Sequence, residues 1–427
     1  MSPARRLRGV INVPGDKSIS HRAVLLNSLA AGEAQITHFL PGADCRSTIA
    51  CMRALGVEII HTEATSVTVR GRALRAGLRE AADVLDCGNS GTTLRLLTGI
   101  LAGQAGLFAI LTGDESLRSR PQRRIVTPLR ALGASLDGRQ NGDRAPLVVR
   151  GASLRGGSYE LPVASAQVKS ALLLAGLAGE GPLILSGRID SRDHTERMLR
   201  AMGVDLQEEQ SQLRLIPPEK ELQACSLRVP GDPSSAAFWW VAAAIHPDAE
   251  LTTTGVCLNP SRTGALDVLR AMGADIRIDN ERLEGSEPIG DVTVRSSNLR
   301  GTSIGGSLIP RLIDEIPVLA VAASSAQGDT LVYDAQELRA KETDRVETVA
   351  SGLDALGATV EPTVDGMGIT GGQHLRGAML HSHGDHRLAM AWAIAGLVAS
   401  GETRIHGAEA VDVSYPGFWE SLETVKH

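Results

Sequence analysis

At 427 residues the chain is too long for one ordinary hydrophobic core and predicts two domains. Apolar residues make up 43%, charged residues 22%, and the net charge is −6, a balance that argues against a generally basic nucleic-acid binder or a polybasic membrane protein. The longest apolar stretch (388–400) is too short to span a bilayer, the N-terminal arginines precede no signal-peptide apolar region, and five scattered cysteines lack any C-x-x-C spacing, so a cytoplasmic protein with reduced thiols is expected.

In chain order, MSPARRLRGV leads into strand-like sequence and then into VPGDKSISHR at 13–22. Only Asp16 separates Gly15 from Lys17, so the G-x-x-x-x-G-K-[ST] spacing of a nucleotide loop is absent. RAVLLNSLAAGEAQITHF then reads as a helix apolar on nearly every face, a break and a strand. ALGVEI at 54 follows an amphipathic run and precedes alternating apolar residues, which reads as helix, glycine cap and strand. The same alternation continues through TTLRLLTGILAGQAGLFAIL, ALGASL at 131, KSALLLAGLAGEGPLILSG and AMGVDL at 201. VPGDPSS at 229–235 restarts the series, followed by AAFWWVAAAIHPDAELTTTG, AMGADI at 271, PVLAVAASSAQGDTLVYDA, ALGATV at 355 and RLAMAWAIAGLVASGETRIHG.

The buried-helix phrase thus occurs six times and the helix-glycine-strand phrase five times. Six units of roughly 70 residues, three per half, are the simplest account. The fold class expected is α/β with two similar domains, one of residues 16–229 and one of 1–15 plus 230–427, hinged at 13–16 and 229–232 around a cleft. A continuous solenoid is the alternative, although solenoid repeats usually span about 20–50 residues.

The segments just ahead of the six buried helices are GDKSISHR, DCGNSGTTLR, VASAQVKS, GDPSSAA, LIDEIP and GDHR. Ordinary N-capping explains their hydroxyls and Asn89. It does not call for Lys17, Arg22, Arg95, Lys169 and Arg387 at helix starts, where cations oppose the helix dipole, and this favours an anionic ligand. SLRSRPQRR at 116–124 and ELRAKETDRVE at 337–347 carry further cations, most of which, including Arg123 and Arg124, read as a solvated charged face.

Seven ordered motifs, PGDKSISHR, GNSGTTLR, RSRP, SAQVKSALLLAGL, GDPSSAAF, KETDR and GDHRLAM, resemble the EPSP synthase family over essentially the whole chain. The resemblance implies two domains, each of three βαβαββ units around parallel buried helices. It implies transfer of the enolpyruvyl group of phosphoenolpyruvate to the 5-hydroxyl of shikimate 3-phosphate with release of phosphate, no metal and no organic cofactor. It further implies Lys17 at phosphoenolpyruvate and Ser18 and Arg22 on the phosphate and carboxylate side of shikimate 3-phosphate. Gly91 would let the backbone approach phosphoenolpyruvate, and Arg120, Arg345 and Arg387 would clamp its phosphate and carboxylate. Ser165 and Gln167 are expected at shikimate 3-phosphate, with Ala166 where other members have Ser and Arg192 as an extra phosphate ligand. Asn89, Thr92, Arg95 and His386 complete the expected substrate-binding set.

By the same resemblance Asp314 is the base for the 5-hydroxyl, Lys341 binds substrate beside it, and Glu342 is the acid for the methylene carbon; adjacent Glu315 is the competing base. Two departures stand out: Val413 lies where some members carry Lys, and Leu96 where glyphosate-sensitive members often carry Pro. The nearest rival is UDP-N-acetylglucosamine enolpyruvyltransferase, whose mobile-loop Cys has no counterpart between Cys87 and Cys225. A metal hydrolase is the different-class alternative, prompted by His381, His383, Asp385 and His386 in HSHGDHR, and a non-catalytic binding protein is the third. The expected partners are small-molecule substrates, with no nucleic acid, no membrane and a monomeric chain.

Overall fold

Five repeated glycines end five amphipathic helices in the same way. Gly56, Gly133, Gly203, Gly273 and Gly357 all have φ between 87° and 97°, a region that L side chains avoid. The residue after each glycine donates its N–H to a carbonyl in the last helical turn, as in Val57 to Met52 at 3.0 Å and Ala134 to Leu129 at 3.0 Å. The sequence reading of helix, glycine cap and strand is therefore what forms, for helices Ala43–Ala54, Arg123–Ala131, His194–Ala201, Gly264–Ala271 and Arg345–Ala355.

The structure, a computed structural model, describes residues 1–427 as a mixed α/β fold. Its six apolar helices are α1 (Lys17–Leu29), α2 (Gly91–Ala102), α3 (Ala166–Gly176), α4 (Pro233–Ile245), α5 (Ile316–Ser325) and α6 (His386–Val398). Three begin at a Gly-Asp pair whose Asp caps the helix: Asp16 accepts from Ile19 N–H, Asp232 from Ser234 N–H and Asp385 from Arg387 N–H. No helix is long and apolar enough to cross a membrane.

Five four-stranded sheets share one strand order. In Leu85–Asp86, Phe108–Thr112, Arg144–Arg150, Ser135–Gly138 the first pair is parallel and the next two are antiparallel. The contiguous repeats expected from sequence are modified at two joins. The strand parallel to Ala31–Thr37 is Leu227–Arg228, and the strand parallel to Ala249–Cys257 is Leu7–Ile11. The sixth unit is shorter: its sheet is only Met379–His381 beside Arg404–His406, and helix Phe418–Val425 closes the chain. That matches the sequence, where the helix-glycine-strand phrase occurs once less often than the apolar helix.

The residues separate into two compact units. The terminal unit comprises Met1–Pro14, Pro230–Leu283 and Pro288–His427, and the middle unit comprises Gly15–Val229 with Glu284–Glu287. In the middle unit α2 meets α3 backbone to backbone, because a Cβ on Gly99 would lie 2.2 Å from the carbonyl oxygen of Ala171. The hairpin turn Glu284–Glu287 joins this unit through Glu287, whose carboxylate is 2.8 Å from His194 Nδ1. In the terminal unit α4, α5 and α6 enclose Trp239, Trp240 and Trp392, and Trp239 meets Tyr415 edge-on at 6.2 Å between centroids. Burial pushes the Tyr415 hydroxyl up to about 12.

Candidate active site

In the middle unit the polar starts of α1, α2 and α3 carry a connected set of side chains. Lys17, on the first turn of α1, lies 3.2 Å from Asp44. Arg22 is one turn further on and almost wholly buried, donating to Thr195 Oγ1 at 2.7 Å, Ser170 Oγ at 2.8 Å and the Ser18 carbonyl at 3.0 Å. Those three bonds fix the plane of its guanidinium. Arg192 is partly exposed, just after the carbonyl of Ser191, which accepts from Lys169 at 3.0 Å.

The start of α2 meets the start of α3. Arg95 donates to Gln167 Oε1 at 2.5 Å and to Gln122 Oε1 at 3.1 Å, while Gln167 Nε2 donates to Thr92 Oγ1 at 3.1 Å. Arg120 reaches Asn89 Oδ1 at 2.7 Å, and Asn89 in turn donates to Asp114 at 2.6 Å. Gly91 stands between these cations: a Cβ there would lie 3.1 Å from Arg95 Nη1 and 3.7 Å from Arg120 Nη1. Ser165 is the buried N-cap residue of α3, and Ala166 is its first residue.

Lys169 has a different explanation from the one its helix-start position suggests. It forms a buried ion pair with Glu196 at 2.6 Å, so its charge is answered within the protein and does not require an anionic ligand.

The terminal unit gathers the acidic candidates. Arg345 is buried and donates to Asp385 at 2.8 Å, Glu342 at 2.7 Å and Asp314 at 3.4 Å. Burial opposes the charge on Arg345, but Asp385, Glu342 and Asp314 more than offset it and hold its pKa above the ordinary value. Burial also works against ionised Asp385, and the facing Arg345 outweighs it, lowering the carboxyl. Asp314 additionally accepts from Lys341 at 3.2 Å and keeps 18% of its side-chain surface exposed.

Glu315 points elsewhere. It is buried at the N-terminus of α5, accepts from Ser234 Oγ and lies 3.6 Å from Arg387 Nη1. Ser234 also accepts from Arg262, which holds Asp232 at 2.8 Å. His386 is the buried first residue of α6. Sequence reasoning singled out neither Asp44, Gln122 and Asp114 nor Arg262 and Ser234, although the GDPSS motif contains Asp232 and Ser234. The signal it lacked is spatial, since Asp44 and Lys17 lie on different helices, Gln122 stands at the start of a different helix from that of Arg95, and Ser234 and Glu315 are 81 residues apart.

His381 lies 5.8 Å from His383 between ring centroids, but no group of three or more His, Cys, Asp or Glu side chains is arranged to hold a metal ion. His381 stacks on His406 with centroids 4.7 Å apart, and Asp385 is taken up by the helix cap and Arg345. Val413 ends a short 3-10 helix, Ala408–Val413, with no cationic side chain of its own.

The chain also resembles known proteins along its length. The family model described as EPSP synthase (3-phosphoshikimate 1-carboxyvinyltransferase) matches residues 1–422. A 3-phosphoshikimate 1-carboxyvinyltransferase of Roseiflexus sp. (strain RS-1) is 72% identical, covering 100% of this chain and 98% of the relative. One from Chloroflexus aggregans is 68% identical, with 100% and 98% covered. The solved EPSP synthase of Acinetobacter baumannii superposes with a TM-score of 0.88 at 40% identity, covering 100% of this chain and 97% of that one. With the motifs, the mixed α/β fold and a full-length match in agreement, the chain belongs to the EPSP synthase family.

Proposed function

We propose that the chain transfers the enolpyruvyl group of phosphoenolpyruvate to the 5-hydroxyl of shikimate 3-phosphate and releases inorganic phosphate, a step of aromatic amino acid biosynthesis. The observation that carries this reading is the Asp314 carboxylate, accessible and held by Lys341 and Arg345 beside a second carboxylate, Glu342. Two such groups suit an addition in which one proton leaves the 5-hydroxyl and another is delivered to the methylene carbon.

Asp314 accepts the proton of the 5-hydroxyl as that oxygen attacks the central carbon of phosphoenolpyruvate. Glu342 delivers a proton to the methylene carbon, giving a tetrahedral ketal phosphate; its collapse returns a methyl proton to the carboxylate that gave it and breaks the carbon–oxygen bond to phosphate, which restores the carbon–carbon double bond and releases phosphate. In the structure Glu342 is engaged by Arg345. A substrate anion that takes over the guanidinium frees Glu342 from that pair, which couples substrate binding to proton donation. Arg120, Arg345 and Arg387 are the proposed ligands of the phosphate and carboxylate of phosphoenolpyruvate, with Lys17 and Gly91 beside it. Ser18, Arg22, Ser165, Gln167 and Arg192 serve shikimate 3-phosphate, Gln167 also lies near phosphoenolpyruvate, and Asn89, Thr92, Arg95, Ala166, Lys341 and His386 complete the proposed substrate-binding set. The chain crossings near 13–16 and 229–232 are proposed as a hinge, checked by solution scattering with and without shikimate 3-phosphate. A monomeric, cytoplasmic enzyme is part of the same proposal.

The full-length match to 3-phosphoshikimate 1-carboxyvinyltransferases supports this acceptor over UDP-N-acetylglucosamine. A phosphate-release assay with each acceptor tests it: turnover is expected with shikimate 3-phosphate, and turnover with only the nucleotide sugar overturns the reading.

A further inference from the structure

We infer that His21 is a positioning residue that sets the spacing between the two anion-binding turns of the middle unit, residues 15–22 and 89–95. The inference rests on the reaction proposed above. His21 lies on α1 between Lys17 and Arg22, and its side chain is fully buried. Nδ1 is 2.7 Å from Thr48 Oγ1, Thr48 Oγ1 is 2.7 Å from Thr93 Oγ1, and Thr93 Oγ1 is 2.7 Å from Ser90 Oγ. Ser90 is the residue that caps α2, accepting from Thr93 N–H.

Four side chains in a row therefore join three helices. One end is the helix that carries Lys17, Ser18 and Arg22. The middle is Ala43–Ala54, which carries Asp44, the partner of Lys17. The far end is the start of the helix that carries Gly91, Thr92 and Arg95. Thr93 also reaches the carbonyl of Asp44 at 3.4 Å, so the partner of Lys17 is fixed by the same chain. Bonds of this length weaken steeply when a donor moves, so the row resists sliding of either turn.

The hydrogens can be placed in order. Each hydroxyl has one proton to give. Thr93 gives its proton to Ser90 or to the Asp44 carbonyl, so Thr48 must donate to Thr93, and Thr48 must then accept from His21. That requires a proton on Nδ1, and in a neutral ring it leaves a lone pair on Nε2. Nε2 is buried and has no hydrogen-bond partner. Burial, reinforced by the charges of Lys17 and Arg22 against that of Asp44, lowers the His21 pKa to about 3, so the ring stays neutral at working pH.

The test pairs two substitutions with a spectrum. His21→Leu fills the space without a donor, whereas the amide of His21→Asn can replace the Nδ1–H bond to Thr48. His21→Leu is expected to raise the KM for phosphoenolpyruvate roughly five- to tenfold, with kcat changed about twofold or less. His21→Asn should bring KM back to within about twofold of the unsubstituted enzyme, and in a Thr48→Val background His21→Leu should add little. A lower melting temperature with unchanged KM, or a KM shift that Asn does not rescue, overturns the inference. The 15N shifts of His21 in the unsubstituted protein need neither turnover nor a variant that folds: an Nε2–H tautomer or a protonated ring at pH 7 also overturns it. Absence of any turnover by the unsubstituted protein would instead strike the proposed reaction and leave the tautomer measurement decisive for His21.

Discussion

The carboxylate of Asp314 lies 3.2 Å from Lys341 Nζ and remains 18% exposed, while that of Glu315, one residue on, is buried against Ser234 and Arg387. Two adjacent acids in LIDEIP are thus split, one toward solvent and one into the protein. Asp314→Asn is expected to lower kcat by about 10²- to 10⁴-fold with shikimate 3-phosphate affinity largely kept. Glu315→Gln should instead raise the KM for phosphoenolpyruvate by loosening Arg387, and lower thermal stability. Steady-state kinetics with calorimetric binding separates the two, and the reverse pattern would move the base to Glu315.

Arg345 and Asp385 are almost without solvent contact and bonded at 2.8 Å. Removing one member of such a pair leaves a buried charge short of its partner, at a cost of about 3–5 kcal/mol, and Glu342 and Asp314 should keep the loss at the lower end. Asp385→Asn keeps an oxygen that can cap α6, so the loss reports the charge pair rather than the cap. Urea denaturation checks this, and an unchanged midpoint would show that the neighbouring carboxylates compensate fully.

Gly91→Ala introduces a Cβ 3.1 Å from Arg95 Nη1, the far end of a flexible side chain, so the fold should accept it. The space lost lies where the phosphoenolpyruvate group is proposed to bind. Glyphosate has one more atom than phosphoenolpyruvate between its carboxyl carbon and its phosphorus, so this longer ligand should feel the added methyl more and its inhibition constant should rise by on the order of tenfold more than the KM for phosphoenolpyruvate. Competitive inhibition kinetics measure both, and equal weakening would show that this turn does not contact the inhibitor.

His21 gives the protein a specific acid sensitivity. Its pKa is lowered by burial from the ordinary 6.5 to about 3, with Asp44 opposing and Lys17 and Arg22 assisting the shift. The unfolded chain takes up a proton as pH falls through 6.5 and the folded chain does not until about 3. Stability from this group is therefore complete above 6.5 and is lost as pH falls toward 3, at up to about 1.4 kcal/mol per unit. Urea midpoints at pH 7 and pH 4.5 should diverge less in His21→Asn than in the unsubstituted protein. Equal slopes would place a titrating proton elsewhere.

Much of the architecture was legible because it is written in local chemistry. A glycine after an amphipathic helix needs positive φ whatever surrounds it, and Gly56, Gly133, Gly203, Gly273 and Gly357 all take it up. Gly-Asp ahead of an apolar run caps a helix, as at Asp16, Asp232 and Asp385. The same local rules fix where those helices begin, and so show that Lys17, Arg95, Asp314 and Arg387 stand beside helix starts. Tertiary structure decided what local sequence does not encode: that Leu7–Ile11 and Leu227–Arg228 complete sheets remote in the chain, that Glu196 answers Lys169, and that Asp314 rather than Glu315 stays accessible. The reason is that strand partners and buried counter-charges are chosen by which surfaces meet when helices and sheets pack, and that choice joins residues separated by many turns of chain.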